Sequence, residues 1–362
     1  MNLRVTTTIV AALLSWSLPS SLVGQSSIFD QMYGDAIINI EIEANLEEII
    51  NERRSEEDLP AIFSLALPNG QRENYEIKLK SRGKFRRRVC EFPPLTLNFP
   101  KKRLKEAGLA ADFDKLKLVT HCLDDKIMGN DNVLKEYLVY QLYQQLAAES
   151  YRVQLARVTY VDSAKQLGKI KRYAFLIEDT DEMATRIGGE ECEDCRGALR
   201  DSLDSVIAMR TAVFQYMIGN ADWDMAMLRN LKIVRTPNKP SWIPVPYDFD
   251  FSGLVATSYA VPSRDHGLLS IKERVYLGPA SSESQLVETL RHFIRNKPAM
   301  YNTIDQFKLL DRASKDNMIA YLDTFFAEAD QIVESNTAQL EASTLYQQAT
   351  KNLGGFQTSY TE

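Results

Sequence analysis

Five side chains that carry oxygen ligands lie in two short segments in the second half of the chain. They are Asp222, Asp224, Asn230, Asp248 and Asp250. Carboxylate and amide oxygens are the ligands that Mg²⁺, Mn²⁺ and Ca²⁺ prefer in proteins, and a carboxylate beside a reacting hydroxyl group can act as a general base. The two segments therefore form one candidate site if the fold brings them together.

The residues between the two segments predict how they meet. Two apolar runs, 231–234 and 242–245, flank a Pro-Asn-Lys-Pro sequence that is typical of a turn. A β-hairpin brings its two ends together, so we expect the loop 222–230 to lie beside the loop 248–250. Asp and Asn are also common in turns and helix caps, which leaves a purely structural role open.

Protein kinases place a base Asp and a metal-binding Asn on one loop, and a second metal-binding Asp after a hairpin. In that arrangement Asp222 is the base, Asn230 and Asp248 are metal ligands, and Asp250 assists them. Kinases place the Asn about five residues after the base, whereas Asn230 lies eight residues after Asp222 and six after Asp224. Asp224 is therefore the alternative base.

A basic segment in the first half is a second candidate surface. Six cations occupy alternate positions in it: Lys78, Lys80, Arg82, Lys84, Arg86 and Arg88. On an extended strand they share one face, provided that Gly83 keeps the register. This face is either simply solvated or binds phosphate or another polyanion.

The hydrophobic patterns predict an α+β protein in two parts. Residues 25–180 are expected to be β-rich, with one long helix that begins near Asn132 and carries Glu136. Residues 181–348 are expected to be mainly helical, with one helix stopped by Gly219 and a later interruption near Lys297 and Pro298. Residues 349–362 are expected to be a disordered tail.

The N-terminal residues 1–24 resemble a cleavable signal peptide. A single cation, Arg4, precedes an uncharged and mostly apolar run that is too short to span a bilayer. We expect a periplasmic or secreted protein that meets the membrane only through this segment. The net charge of −6 disfavours general binding to nucleic acids.

Four cysteines fit an oxidising compartment. Cys192 and Cys195 are close enough in sequence to pair, which leaves Cys90 for Cys122. Half of a zinc site, a redox pair and free thiols are the alternatives for the Cys192-x-x-Cys195 sequence.

The order of these motifs resembles the CotH family of kinase-like spore-coat proteins. The matching features are Arg82-Gly83, Leu116-Lys117-Leu118, the helix from Asn132, a strand that ends at Glu178, the loop 220–230 and the Pro-Tyr-Asp-Phe-Asp sequence at 246–250. The sequence Gly219-Asn220-Ala221-Asp222 is also similar to that of HipA-like kinases.

This resemblance implies a two-lobed protein-kinase-like fold, with a β-rich N-terminal lobe and a mainly α-helical C-terminal lobe. It implies ATP and Mg²⁺ or Mn²⁺ between the lobes, with Glu178 beside the nucleotide base. Glu136 would orient a lysine, for which Lys80 and Lys117 are the candidates. Since no Gly-rich phosphate loop is visible, Arg82 and the basic strand are expected to replace it.

Three functions compete at this stage. The first is an exported atypical kinase that phosphorylates a protein or another hydroxyl acceptor, and the second is an envelope binding or assembly protein without turnover, which would use the basic face for an acidic glycan. The third, a metal-dependent hydrolase, is disfavoured because none of the three histidines lies in or beside the acidic segments.

Overall fold

The structure is a computed structural model that describes residues 25–67, 70–196, 202–237, 241–280 and 282–335. The strands are β1 (Ile38–Ala44), β2 (Leu59–Ala66), β3 (Arg72–Ser81), β4 (Leu95–Asn98), β5 (Lys115–Val119), β6 (Val153–Asp162), β7 (Lys169–Ile177), β8 (Glu190–Glu191), β9 (Leu231–Arg235) and β10 (Ile243–Pro246). The helices are α1 (Ile28–Met32), α2 (Leu46–Asn51), α3 (Arg86–Val89), α4 (Lys101–Glu106), α5 (Lys126–Leu146), α6 (Thr180–Arg186), α7 (Ser205–Ile218), α8 (Glu283–Gln306) and α9 (Arg312–Ser335).

The first seven strands form a closed barrel. Its order is β1-β2-β3-β4-β5-β7-β6, and β6 returns to pair in parallel with β1, which closes the sheet. The other neighbouring strands pair antiparallel. Alternate residues face inward, as the period of two requires, and Ile42, Phe63 and Leu79 are among those that fill the interior.

The prediction of a two-lobed protein-kinase-like fold is wrong. A closed seven-stranded barrel with one parallel pair is not the N-terminal lobe of a standard kinase. The strand pairing that overturns the prediction is that of β1 with β6, in which Ile38 is the partner of Ala156. These two residues are more than a hundred positions apart in the sequence. Hydrophobic periodicity identifies strands but does not specify such distant pairing.

A second core lies between the helices and the outside of the barrel. α5 packs against β7 and α8, and α8 packs against α9. α7 is buried on most of its surface, and it lies beside the small sheet β10-β9-β8. The described residues thus form two clusters of buried apolar side chains, one inside the barrel and one among the helices.

The basic face that the sequence predicts does not form. β3 ends at Ser81, Gly83 adopts a φ of +80°, and α3 begins at Arg86. A positive φ leaves the β region that an extended strand requires. The cations consequently diverge, and Lys80 forms a surface ion pair of 3.0 Å with Glu56.

Two predicted helix limits also need correction. α5 begins at Lys126 because Asp125, not Asn132, accepts hydrogen bonds from the first free N–H groups. α8 continues through Pro298, and the chain leaves the helix only at Phe307. Gly219 does end α7, in the left-handed conformation that favours glycine. Residues 1–24 and 336–362, which include the predicted signal peptide and tail, lie outside the described residues.

Both cysteine pairs are confirmed as disulfides, Cys90–Cys122 and Cys192–Cys195. They are compatible with an extracytoplasmic protein. Within the described ranges, no helix is long and apolar enough to cross a membrane.

The Cys90–Cys122 disulfide should contribute more to stability than Cys192–Cys195. It closes a loop of 32 residues, whereas the second closes a loop of 3. The loop entropy that each bond removes from the unfolded chain predicts about 3–4 kcal/mol for the long loop and roughly half of that for the short one. Urea unfolding of the double variants Cys90→Ala/Cys122→Ala and Cys192→Ala/Cys195→Ala tests this order. Equal losses would contradict it.

Candidate active site

A buried arginine holds the centre of the site. Arg86 is 6% exposed. Its Nη2 lies 3.0 Å from Glu136 Oε1 and 2.8 Å from Asp248 Oδ1, and its Nε donates to Asp250 Oδ2 at 2.9 Å. Glu136, Asp248 and Asp250 are called the carboxylate cluster below. Candidate ligand oxygens of these three residues lie within 4.8 Å of one another.

Different elements bring these charges together. Gly83 turns the chain after β3 so that α3 delivers Arg86 to the interior, and the disulfide from Cys90 fixes the far end of α3. Glu136 lies on α5, while Asp248 and Asp250 follow β10. The Asp248 N–H donates to the hydroxyl of Tyr140 at 2.9 Å, which ties the loop after β10 to α5.

The cluster places three carboxyl groups around one guanidinium. Burial raises the pKa values of Glu136 and Asp250, while Arg86 opposes that rise and the neighbouring carboxylates add to it. Burial lowers the pKa of Arg86, but the carboxylates outweigh this effect and keep the guanidinium charged. Asp248 is the most exposed member, with 31% of its side chain accessible. Asp248 is therefore the carboxyl group of the cluster that faces solvent.

Asp222 and Asn230 lie beside the cluster. Asn230 Nδ2 donates to the backbone oxygen of Asp222 at 2.6 Å and to its Oδ2 at 3.0 Å. The N–H of Tyr247 donates to the backbone oxygen of Asn230 at 3.1 Å, so the hairpin β9–β10 joins this loop to Asp248. Burial raises the pKa of Asp222 to about 6, with Arg229 opposing the shift and Asp248 and Asp250 adding to it.

The backbone around the site is unusual. Leu228, Asn230, Asp248 and Ala256 all have φ values between 51° and 64°. Asn and Asp tolerate this left-handed region better than other residues with side chains, whereas Leu and Ala pay a steric cost. Such strain concentrates at functional sites, where surrounding structure maintains it.

A group of cations lies near Tyr247. Arg82, Lys117 and Lys232 are called the cationic wall below. Burial lowers the pKa of Lys117 to about 8, a value that already includes the effects of the positive charges of Arg82 and Lys232. Lys117 Nζ lies 3.0 Å from Thr180 Oγ1 and 5.3 Å from the centre of the Tyr247 ring. Burial raises the pKa of Tyr247, and Asp248 contributes to that rise while Lys232 and Arg82 oppose it.

The remaining candidates from the sequence lie in structural positions. Asp224 Oδ1 accepts from the N–H of Met227 at 2.7 Å within a tight turn. Glu178 is completely buried, and its carboxylate accepts hydrogen bonds from Arg152 and Arg186. Lys80 lies on the barrel surface with Glu56. The structure thus groups Asp222, Asn230, Asp248, Asp250 and Glu136, places Arg82 and Lys117 nearby, and leaves Lys80, Asp224 and Glu178 in other roles.

The sequence pattern did not single out Arg86. It appeared only as one of six alternating cations, and the partner proposed for Glu136 was a lysine. Gly83 was the one local signal that could have separated Arg86 from the strand. Its three carboxylate partners lie 50 to 164 residues away, so nothing local identifies them.

Comparisons with known proteins leave the family open. No known family matches the sequence, and no curated protein matches it, so the CotH family is not shown. Among solved structures, the chain is similar to the Helicobacter pylori proinflammatory kinase CtkA. The two are 10% identical, the match covers 67% of this chain and 92% of that chain, and the TM-score is 0.36. A TM-score this low does not establish a shared fold.

Replacing Arg86 should destabilise the protein in a pH-dependent way. In Arg86→Met the carboxylate cluster loses its cation, and breaking a buried charge pair costs about 3–5 kcal/mol near neutral pH. Glu136 and Asp250 then bind protons more tightly in the folded than in the unfolded state. Stability should therefore fall as pH rises, so the loss relative to the parent protein should be larger at about pH 8 than at about pH 5.

Urea unfolding of Arg86→Met across this pH range measures the effect. Arg88→Met is the matched control, because Arg88 lies on the same short helix but is exposed. A loss that is independent of pH, or one that Arg88→Met reproduces, would contradict the assignment.

Proposed function

We propose that this site binds a divalent cation, Mg²⁺ or Mn²⁺, together with the phosphates of a nucleotide such as ATP. It would transfer a phosphoryl group to a hydroxyl group of a protein or glycan in the cell envelope. The observation that carries the proposal is the convergence of Asp222 and Asn230 with Asp248 of the carboxylate cluster, beside a cavity that Asp222 lines. The weak structural similarity to a kinase adds no weight to it.

The available oxygens fit a hard cation. Asp248 Oδ2 and Asn230 Oδ1 have no hydrogen-bond partner within the described parts of the chain, and Asp222 lies beside them. Amide and carboxylate oxygens of this kind suit Mg²⁺ and Mn²⁺. When bound, the cation would pair with the Asp248 carboxylate and help to neutralise phosphate oxygens. Asp250 and Glu136 would support Asp248 through Arg86.

The cationic wall suits the phosphates of the same ligand. Lys117 Nζ lies 5.3 Å from the centre of the ring of Tyr247, the residue before Asp248, and Arg82 is close enough to both Lys117 and Tyr247 to affect their pKa values. Neither has a carboxylate partner within ion-pair distance in the described ranges, whereas Lys232 is paired with Glu191. An anion placed between the wall and a metal at Asp248 would interact favourably with both.

Asp222 fits the part of a general base. One wall of a cavity of about 570 Å³ contains Asp222, with Arg229, Phe251 and Arg264 also lining it. A hydroxyl group in this cavity can therefore lie next to Asp222. A base whose pKa is close to the working pH accepts a proton effectively, and the raised pKa of Asp222 meets this requirement.

One observation favours a binding protein without turnover. Arg86 already bonds to every member of the carboxylate cluster, so the cluster can exist for stability alone. In that case neither a metal nor a nucleotide is needed at the site.

Metal-dependent nucleotide binding separates the two functions. We expect ATP to raise the melting temperature of the protein in the presence of Mg²⁺ or Mn²⁺, and we expect Asp248→Asn to abolish the rise. Asn is chosen because it tolerates the positive φ of this position. Asp112→Asn is the control, since Asp112 is an exposed carboxylate distant in sequence from the site. If ATP does not shift the melting temperature with either metal, the nucleotide site is contradicted and the binding protein without turnover is favoured.

Turnover should depend on the protonation of Asp222. Release of ADP from ATP, measured with Mn²⁺ across a pH series, should decline as pH falls below about 6 because protonated Asp222 cannot accept a proton. Asp222→Asn should remove most of this activity at every pH. Asp224→Asn distinguishes the alternative base. If Asp224→Asn, and not Asp222→Asn, removes the decline in ADP release at low pH, Asp224 is the base.

A further inference from the structure

A concave, positively charged hollow lies on the outer face of the barrel. Its volume is about 350 Å³, which is within the range of small-molecule sites. The strands β1, β2, β6 and β7 form its floor, and Lys126 and Asn130 of α5 contribute to one side. None of its lining residues belongs to the carboxylate cluster or to the cationic wall. We call it the barrel hollow.

The sizes of paired side chains explain why the surface is concave here. One row across the sheet consists of Arg72, Ala66, Asn39, Arg157 and Tyr173, which are successive partners in the strand register. The next row contains Ser64, Glu41, Thr159 and Lys171. Ala66, Asn39, Ser64 and Thr159 are thus short, whereas Arg72, Arg157, Lys171 and Tyr173 beside them are long. Since neighbouring residues on one face stand side by side, the long side chains form walls around a low centre.

The charge of the barrel hollow is opposite to that of the protein. Its lining contains one carboxylate, Glu41, and five cations, which are Arg72, Lys126, Arg157, Lys171 and Arg172. The whole chain has a net charge of −6. Lys126, Arg157 and Lys171 have no carboxylate within 4.0 Å in the described ranges, while Glu41 is 3.5 Å from Arg72. A concentration of unneutralised positive charge in a cavity attracts anions.

One of these cations is held in place. The guanidinium of Arg157 lies 5.6 Å from the centre of the Tyr173 ring, and its Nε donates to the Tyr173 hydroxyl at 3.3 Å. The backbone N–H of Tyr173 in turn donates to Asn130 Oδ1 at 3.0 Å. A guanidinium oriented in this way loses less conformational entropy when it binds a phosphate through two N–H groups.

The rest of the lining suits a hydroxylated ligand. Asn39, Ser64 and Thr159 add an amide and two hydroxyl groups between the cations, and each of these groups can both donate and accept hydrogen bonds. We propose that the barrel hollow binds a phosphorylated sugar of monosaccharide size. Its phosphate contacts Arg157 and Lys171, and its hydroxyl groups contact Asn39, Ser64 and Thr159. This inference does not depend on the proposed phosphotransferase activity.

Calorimetric titration with glucose 6-phosphate, at low salt and with EDTA present, tests the proposal. We expect binding that weakens at least tenfold in Arg157→Gln/Lys171→Gln and that weakens as salt is added. Lys105→Gln/Lys115→Gln is the matched control, since it removes two exposed cations outside the hollow and should bind as the parent protein does. Asp248→Asn should also bind normally, which separates this site from the nucleotide site.

A second variant keeps the test decisive if the double variant does not fold. Ser64→Tyr fills the centre of the barrel hollow without changing the charge, and it should abolish binding while the melting temperature shows a folded protein. The absence of binding to the parent protein at millimolar ligand overturns the proposal, as does an equal loss in the Lys105→Gln/Lys115→Gln control. Equally tight binding of inorganic phosphate overturns the assignment of a sugar.

Discussion

The guanidinium of Arg86, bonded to the buried Glu136 and Asp250 and to the partly exposed Asp248, constrains the positions of three separate parts of the chain. Burying a charge without a partner is costly, so Glu136 of α5 and the two aspartates after β10 can lie together only because Arg86 lies between them. The segment that carries Arg86 must then leave the barrel at Gly83 and turn inward. The disulfide at Cys90 holds that segment in place.

This interaction also contributes to the uneven distribution of charge in the candidate site. The cluster sets three carboxyl groups against one guanidinium. Burial raises the pKa of Asp222 to about 6, and Asp248 and Asp250 add to that rise. Near Tyr247, burial lowers the pKa of Lys117 to about 8, and the neighbouring positive charges of Arg82 and Lys232 contribute to that shift. Both shifts bring titrations closer to neutral pH, where proton transfer is most effective. A cation at Asp248 and an anion beside Lys117 would each relieve one of these imbalances, which is why we expect them to bind together.

Local signals in the sequence were sufficient to predict part of the site. The hairpin β9–β10 and the helix stop at Gly219 have local causes, and they bring Asp222 and Asn230 next to Asp248 as expected. The spacing of the cysteines was likewise sufficient for both disulfides. The closure of the barrel and the partners of Arg86 were not predictable in this way, because they join residues far apart in sequence. The prediction of a basic strand face was wrong for a local reason, which is the positive φ of Gly83.

The pairing of Glu136 with an arginine instead of a lysine has a chemical consequence. A guanidinium is planar and carries five N–H donors, so it can bond to several carboxylates at once, whereas an ammonium is a compact charge that loses its proton more readily when buried. Arg86 can therefore hold the carboxylate cluster at any physiological pH. Lys117, whose pKa is lowered, lies outside that cluster and has no carboxylate partner among the described residues. In this protein the cation that organises the acidic residues is thus separate from the one available to a phosphate, and substitution of either should leave the charge environment of the other largely intact.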